Sequence, residues 1–173
     1  IWDSAKIAIL KVFDFFENHL NIKTPQLIPY RYFYLTFTNY FYENKNPDYN
    51  FLKKYFWFYG FHNNDLLSNT TDINNHLSFM DKNKKEYKFD RFLLDKDEIR
   101  QATYSSKGIM SRAILSLFAS KSPKDWIHTD KNVISHNIFV SSDKPNLHHI
   151  FPINYIQNNP GTNSLNKDSL MNI

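Results

Sequence analysis

The feature that most constrains the fold of this chain is a change in the spacing of its apolar residues after about residue 120. In residues 1–20, apolar side chains recur every three to four positions, which places them on one face of an α-helix. The predicted stripe comprises Ala5, Ile9, Val12, Phe13, Phe16 and Leu20. In NVISHNIFV, residues 132–140, apolar and polar residues roughly alternate, as in a half-buried strand. We therefore expect a helical region followed by a short β structure.

Two further helices are predicted from prolines and capping residues. Pro29 suits the first turn of a helix over about 29–43, because its fixed backbone angle is compatible with a helix start. Asn46 can cap a third helix that Pro47 opens and Gly60 closes.

Two more helices are predicted before residue 125. One lies around Thr71–Asp81, and Ser106 can cap the next, which ends before Pro123. The apolar face of this last helix comprises Ile109, Met110, Ala113, Ile114, Leu117 and Phe118. Residues 81–100 carry charges of both signs, which favours a solvated loop and helix face over a phosphate-binding strip.

The segment after residue 125 is predicted to contain a β-hairpin. The run 132–140 is followed by the turn sequence SSDKPN and by a second short apolar run, NLHHIFP, at 146–152. A polar loop follows, and Asp168 looks like the start of a helix. The predicted fold is therefore mainly α. It has a helical domain at 1–125, and a second unit at 126–173 that begins with the hairpin.

Composition excludes several classes of protein. Only three of the 173 residues are glycine while 17% are aromatic, which favours packed helices over a turn-rich sandwich. The chain has no cysteine, so disulfides and thiolate metal sites are excluded. The net charge of +4 permits a nucleic-acid partner without requiring one.

The sequence shows no sign of a membrane or secreted protein. No apolar run approaches the roughly 18 residues that a membrane-spanning helix needs, and no signal peptide is visible. The sequence begins without Met and stops at MNI. We therefore expect a piece of a longer cytoplasmic protein with no membrane partner.

The paired histidines His148 and His149 are the candidate chemical site. A histidine on a strand before a loop and a helix suits a metal-assisted phosphodiesterase, since a neutral imidazole can take a proton from water near pH 7. A surface or packing position is also compatible with the pair, and no cysteine or HxxxH motif supports a zinc site. Adjacent residues on a strand point to opposite faces, so the two histidines can share a site only where the strand ends or distorts.

The run LHHIFP, followed by NKDSLMNI, resembles the HNH endonuclease domain of GmrSD-type restriction proteins. In that family a ParB-like nucleotide-binding domain precedes a helical region and then the HNH module. Three earlier segments resemble the helical region: PYRYFYLTFTNYF, FLKKYFWFYGF and KGIMSRAILSLFAS. The resemblance spans nearly the whole chain and implies a ββα-metal module that begins with the predicted hairpin.

The resemblance implies a role for each residue of the motif. His149 matches the general base, His148 matches the preceding metal-binding position, and Asn172 matches the middle Asn, which holds the loop and helps to orient the base. The last metal-binding residue would lie beyond Ile173, so we expect this segment alone to be inactive. Ile150 and Phe151 would anchor the strand that Pro152 ends.

The implied reaction is hydrolysis of double-stranded DNA with Mg²⁺ or Mn²⁺, in restriction or phage defence. A nucleotide would bind to the ParB-like domain upstream. Two alternatives stay open. One is a helical DNA-binding or nucleotide-coupling module without its own catalysis, and the other is a helical interaction domain with a degenerate hairpin.

The aromatic segment around Trp57 also has two interpretations. Trp57 either packs in the helical core beside Phe56 or Phe61, which we favour, or stacks on a base while Lys53 and Lys54 contact phosphates.

Overall fold

The structure, a computed structural model, describes residues 1–61, 70–80, 96–105, 108–133, 148–159, 161, 168–169 and 172. Within these residues it is mainly α-helical, as the apolar spacing predicts. The helices are α1 Trp2–Asp14, α2 Tyr32–Glu43, α3 Tyr49–Gly60, α4 Thr70–Phe79, α5 Lys96–Gln101, α6 Ile109–Ser120 and α7 Ile153–Asn158. A π-helical turn, Phe15–His19, extends α1, and a 3-10 turn lies at Pro25–Leu27.

An aromatic core joins α1, α2 and α3. The Phe15 and Phe37 rings stack with centroids 5.3 Å apart, and Phe33 lies 5.1 Å from Phe56. These four side chains are buried. Each aromatic residue buries about 150–250 Å², so this cluster dominates the energetics of the helical region.

Helix α6 packs on the same core through the turn that follows α1. The Ser116 hydroxyl donates to the carbonyl of Leu27, and Arg112 Nη1 donates to the carbonyl of Ile28 at 3.4 Å. Ala119 is buried in the aromatic core. The segment KGIMSRAILSLFAS, which contains α6, therefore belongs to the same packed unit as α1–α3.

The buried stripe of α1 differs from the predicted one, because the exposed Ile9 and Phe13 lie outside it. It comprises Ala8, Val12, Phe15, Phe16 and Leu20. Apolar residues surround most of α1, so spacing alone does not select the face that packs against α2. The π-helical turn also adds a residue to the last turn, where the amide of Leu20 donates to the carbonyl of Phe15 at 3.1 Å.

Two details of the other helices also differ. Asp48 rather than Asn46 caps α3, since its Oδ1 accepts from the amides of Asn50 and Phe51, each at 3.0 Å. In α6 the predicted face is too wide, because Leu117 and Phe118 are exposed. Helix α6 begins after Gly108, and the predicted cap Ser106 lies outside the described residues.

The predicted hairpin is described only at its ends. Lys124 and Asn132 form an isolated antiparallel bridge, and the amide of Val133 donates to the carbonyl of Pro123 at 2.9 Å. Residues 134–147, which include most of the first predicted strand, the turn and the start of the second strand, lie outside the described residues. Residues 148–152 are not a strand, and α7 follows them at once. The hairpin therefore stays a prediction.

Helix α7 was not predicted. Pro152 stands at its N-cap with φ −55°, an angle that suits a helix start as well as the end of a strand. None of the helices described above is both long enough and apolar enough to cross a membrane.

Candidate functional site

Asn172 holds the chain directly after His149 by three hydrogen bonds. Its side-chain Nδ2 donates to the carbonyl of Phe151 at 3.1 Å, and its Oδ1 accepts from the amide of Phe151 at 2.8 Å. Its backbone carbonyl accepts from the amide of Ile150 at 2.8 Å. Asn172 is buried. We call this set of contacts the Asn172 clamp. Its side-chain amide pairs with both backbone groups of Phe151, as a residue of a neighbouring strand would.

The clamp is itself attached to the helical region. Asn172 donates its amide to the carbonyl of Ser169 at 2.9 Å. The Ser169 hydroxyl donates to the carbonyl of Arg100 in α5 at 2.7 Å, and Ser169 also forms an antiparallel bridge with Thr103. A continuous series of hydrogen bonds therefore runs from the end of α5 through Ser169 and Asn172 to the residues beside His149.

The clamp leaves the side chains around it accessible. His148 is exposed and His149 is half-buried. The side chains of Ile150 and Phe151 are 65% and 52% exposed, so the expectation that they anchor this segment is wrong. The anchor is their backbone, and the Phe151 ring stacks on Tyr155 of α7 at 6.3 Å.

The described side chains do not make a complete metal site. No group of three or more histidines, aspartates or glutamates that could hold a metal ion occurs in the described part of the chain. His148 and His149 offer two imidazoles, whereas Mg²⁺ prefers six oxygen ligands in an octahedron. These two residues alone therefore do not fit the implied cation.

Three other described histidines have packing or surface positions, as the sequence predicts. His76 is buried, and its Nδ1 lies 2.8 Å from the hydroxyl of Tyr55. The ring of His19 stacks on Tyr49 with centroids 4.0 Å apart. His128 lies at the surface, with Nδ1 3.5 Å from Asp125. His62 and His136 lie outside the described residues.

Trp57 packs beside both predicted neighbours. Its ring lies edge-on to Phe56 at 5.0 Å and 6.1 Å from Phe61, and it is partly buried against the aromatic core. This confirms the core interpretation of Trp57. On the same helix Lys54 is exposed and Lys53 half-buried; no described contact connects them with the Asn172 clamp.

Sequence reasoning missed Ser169 as the residue that positions Asn172. The run DSL was interpreted as a helix start, because serine and aspartate are common at that position. No local pattern indicates instead that Ser169 pairs with Thr103, since the pairing joins residues far apart in the sequence.

Comparison of the chain with protein-family models, with curated proteins and with solved structures gives no match. The resemblance to GmrSD-type proteins therefore rests on the sequence motifs alone.

Proposed function

We propose that this chain is part of an HNH-type DNA endonuclease that hydrolyses phosphodiester bonds with His149 as the general base. The observation that supports it best is the Asn172 clamp. In the family that the motif resembles, the middle Asn holds the loop beside the base, and Asn172 holds the backbone of Phe151, two residues after His149.

The proposed chemistry uses the half-buried imidazole of His149. A neutral imidazole has one ring nitrogen without a hydrogen, and that nitrogen can accept a proton from water. The oxygen of that water then attacks phosphorus, and the ester oxygen leaves. A base held in place contributes about a hundredfold to ten-thousandfold in rate. By fixing the backbone beside His149, the clamp lowers the entropic cost of aligning imidazole and water.

The remaining parts of the proposal come from the resemblance. The substrate is double-stranded DNA, the cofactor is Mg²⁺ or Mn²⁺, with His148 as one ligand, and a ParB-like domain upstream binds the nucleotide. The biological role is restriction or phage defence.

The test is plasmid cleavage by the full-length protein. We expect nicked or linear plasmid only when Mg²⁺ or Mn²⁺ is added, with a further dependence on nucleotide. Folding is checked by circular dichroism and DNA binding by a mobility shift. A folded protein that binds DNA but cleaves no plasmid under any of these conditions contradicts the proposal.

That outcome would favour the alternative, a helical DNA-binding or nucleotide-coupling module. The observation that supports it is that α1, α2, α3 and α6 share one core independent of the clamp. Lys54 is exposed on this unit. Under this alternative, Lys54→Ala weakens DNA binding and reduces its salt dependence. Lys45→Ala, at an exposed position before α3, is the matched control.

A further inference from the structure

The loop that follows α6, residues 121–133, presents two adjacent apolar side chains to solvent. Trp126 is 98% exposed and Ile127 is 85% exposed. We call these two residues the loop tip. Tryptophan is highly buried on average in folded proteins, so a tryptophan that projects fully into solvent beside an exposed isoleucine indicates a contact surface.

Backbone hydrogen bonds close the base of this loop. Lys124 and Asn132 form the isolated antiparallel bridge. Next to the bridge, the amide of Asp125 donates to the carbonyl of Lys131 at 3.0 Å. The two ends of the loop are therefore held together, and the loop tip lies at the far end of a closed turn.

A carboxylate fixes the backbone at the loop tip itself. Oδ1 of Asp125 accepts from the amides of Ile127 and His128, each at 2.7 Å. These hydrogen bonds, that from His128 most strongly, lower the pKa of the Asp125 carboxyl, so the carboxylate is ionised near neutral pH and keeps both bonds. Nδ1 of His128 also lies 3.5 Å from Oδ1, which directs the ring of His128 towards Asp125 rather than towards a ligand.

The charged side chains of the loop favour an anionic ligand. Lys121, Lys124 and Lys131 are exposed, and in the sequence they lie on both sides of the loop tip. The loop also carries two carboxylates, Asp125 and Asp130. Three lysines against two aspartates give a net charge of +1 with histidine neutral. Because Asp125 is held in the turn, Asp130 is the carboxylate that opposes the lysines at the surface.

We propose that the loop tip binds a single-stranded stretch of DNA, with Trp126 stacked on an unpaired base and the flanking lysines against phosphates. Stacking on an aromatic ring tolerates any base, since every base has a π-face, and cations beside the ring hold the backbone. The inference rests on the proposed function for its DNA partner and deepens it, because it makes unpaired nucleotides part of the substrate. It does not depend on cleavage.

The small apolar area of the loop tip argues against a protein or a membrane as the partner. A tryptophan buries at most about 250 Å², whereas a stable interface buries about 800 Å² on each protein and is depleted in lysine. The other exposed apolar side chain of the loop, Val133, lies at its base. One acyl chain gives only marginal membrane binding, and two side chains offer no more apolar surface. A single stacked base, in contrast, strengthens binding about fivefold to a hundredfold.

The test measures the binding of a fluorescein-labelled oligothymidine strand to the full-length protein by anisotropy, in EDTA to prevent metal-dependent cleavage. Trp126→Ala should raise the Kd by about fivefold to a hundredfold. Trp126→Phe keeps an aromatic ring and should recover most of this loss. Trp2→Ala is the control, because Trp2 is also exposed but lies on α1, and it should leave the Kd unchanged.

The charges of the loop are tested with the same strand. Lys124→Ala should raise the Kd and reduce the slope of log K against log salt concentration by about 0.7, the value for one phosphate contact on a single strand. Asp130→Asn should lower the Kd, because it removes a charge that repels phosphate. Lys45→Ala, at an exposed position outside the loop, should change neither quantity.

A Trp126→Ala protein that is folded by circular dichroism and binds the strand with the natural Kd overturns the proposal. Natural protein that does not bind the strand at about 0.1 mM also overturns it. Vesicles of phosphatidylserine and phosphatidylcholine are the second probe, and binding to them that requires Trp126, with strand binding unaffected by Trp126→Ala, would assign the loop tip to a membrane instead. Plasmid cleavage with added metal tests the nuclease proposal separately.

Discussion

At the scale of single residues, Asn172 is the side chain on which the candidate site depends most. Its side chain binds the backbone amide and carbonyl of Phe151, the two groups that a neighbouring strand would otherwise bind. Asn172 is also buried. The resemblance to HNH endonucleases implies that Asn172 holds the loop, but it does not predict the atoms that Asn172 holds. Those depend on the Ser169 contact with α5, which joins positions about seventy residues apart.

Removing this side chain should open the segment locally. Asn172→Ala leaves the amide and carbonyl of Phe151 without their partner, a loss of about 1–3 kcal/mol. We expect faster hydrogen exchange at the amide of Phe151, measured by NMR. Asn154→Ala, at an exposed position on α7, is the control and should change nothing. Unchanged exchange at Phe151 in Asn172→Ala would show that the clamp does not hold the segment.

The aromatic core makes a second residue-scale prediction. Phe37 is fully buried between α1 and α3 and touches the rings of Phe15, Phe16 and Tyr55. Phe37→Ala should lower the free energy of unfolding by about 3–5 kcal/mol, since it removes the ring and leaves a cavity. Leu35→Ala, at an exposed position on α2, should cost far less. Urea unfolding of both variants makes the comparison, and equal losses would contradict the packing described.

At the scale of elements, periodicity predicted which segments are helical better than it predicted their faces and ends. Helices α1 to α4 and α6 lie where apolar spacing and prolines predict them. The face of α1 was misassigned because exposed Ile9 and Phe13 are as apolar as the buried positions. Helix α7 was missed because Pro152 suits the end of a strand and the start of a helix equally well.

The N-cap of α3 gives a prediction at the scale of elements, and Asn46 provides its control. Asp48 accepts from two amides of the first turn, whereas Asn46 lies two residues earlier and was the cap expected from sequence. Asp48→Ala should lower the free energy of unfolding by about 0.5–2 kcal/mol. Asn46→Ala should have little effect. Thermal or urea unfolding of both variants measures the two losses of stability. A larger loss for Asn46→Ala would show that Asn46, the cap predicted from the sequence, caps α3.

At the scale of the whole molecule, the described residues form a helical unit to which the clamp is attached through α5. The mainly α fold follows from composition and spacing, because a glycine-poor, aromatic-rich chain buries its rings most readily between helices. The attachment of Ser169 to α5 could not be predicted, because its hydroxyl donates to the backbone carbonyl of Arg100, a group that every residue carries, in a part of the chain about seventy residues away. The hairpin predicted over 132–152 remains a prediction, because residues 134–147 lie outside the described residues. The division at residue 125 also remains a prediction.

The central claim is that His149 acts as the base of a nuclease. The most direct measurement is the rate of plasmid nicking by the full-length protein and its His149→Ala variant, with His128→Ala as a matched surface control. We predict a loss of about a hundredfold to ten-thousandfold for His149→Ala and no loss for His128→Ala. Circular dichroism and DNA binding should be unchanged in both. A folded His149→Ala protein that nicks plasmid at the natural rate would contradict the account.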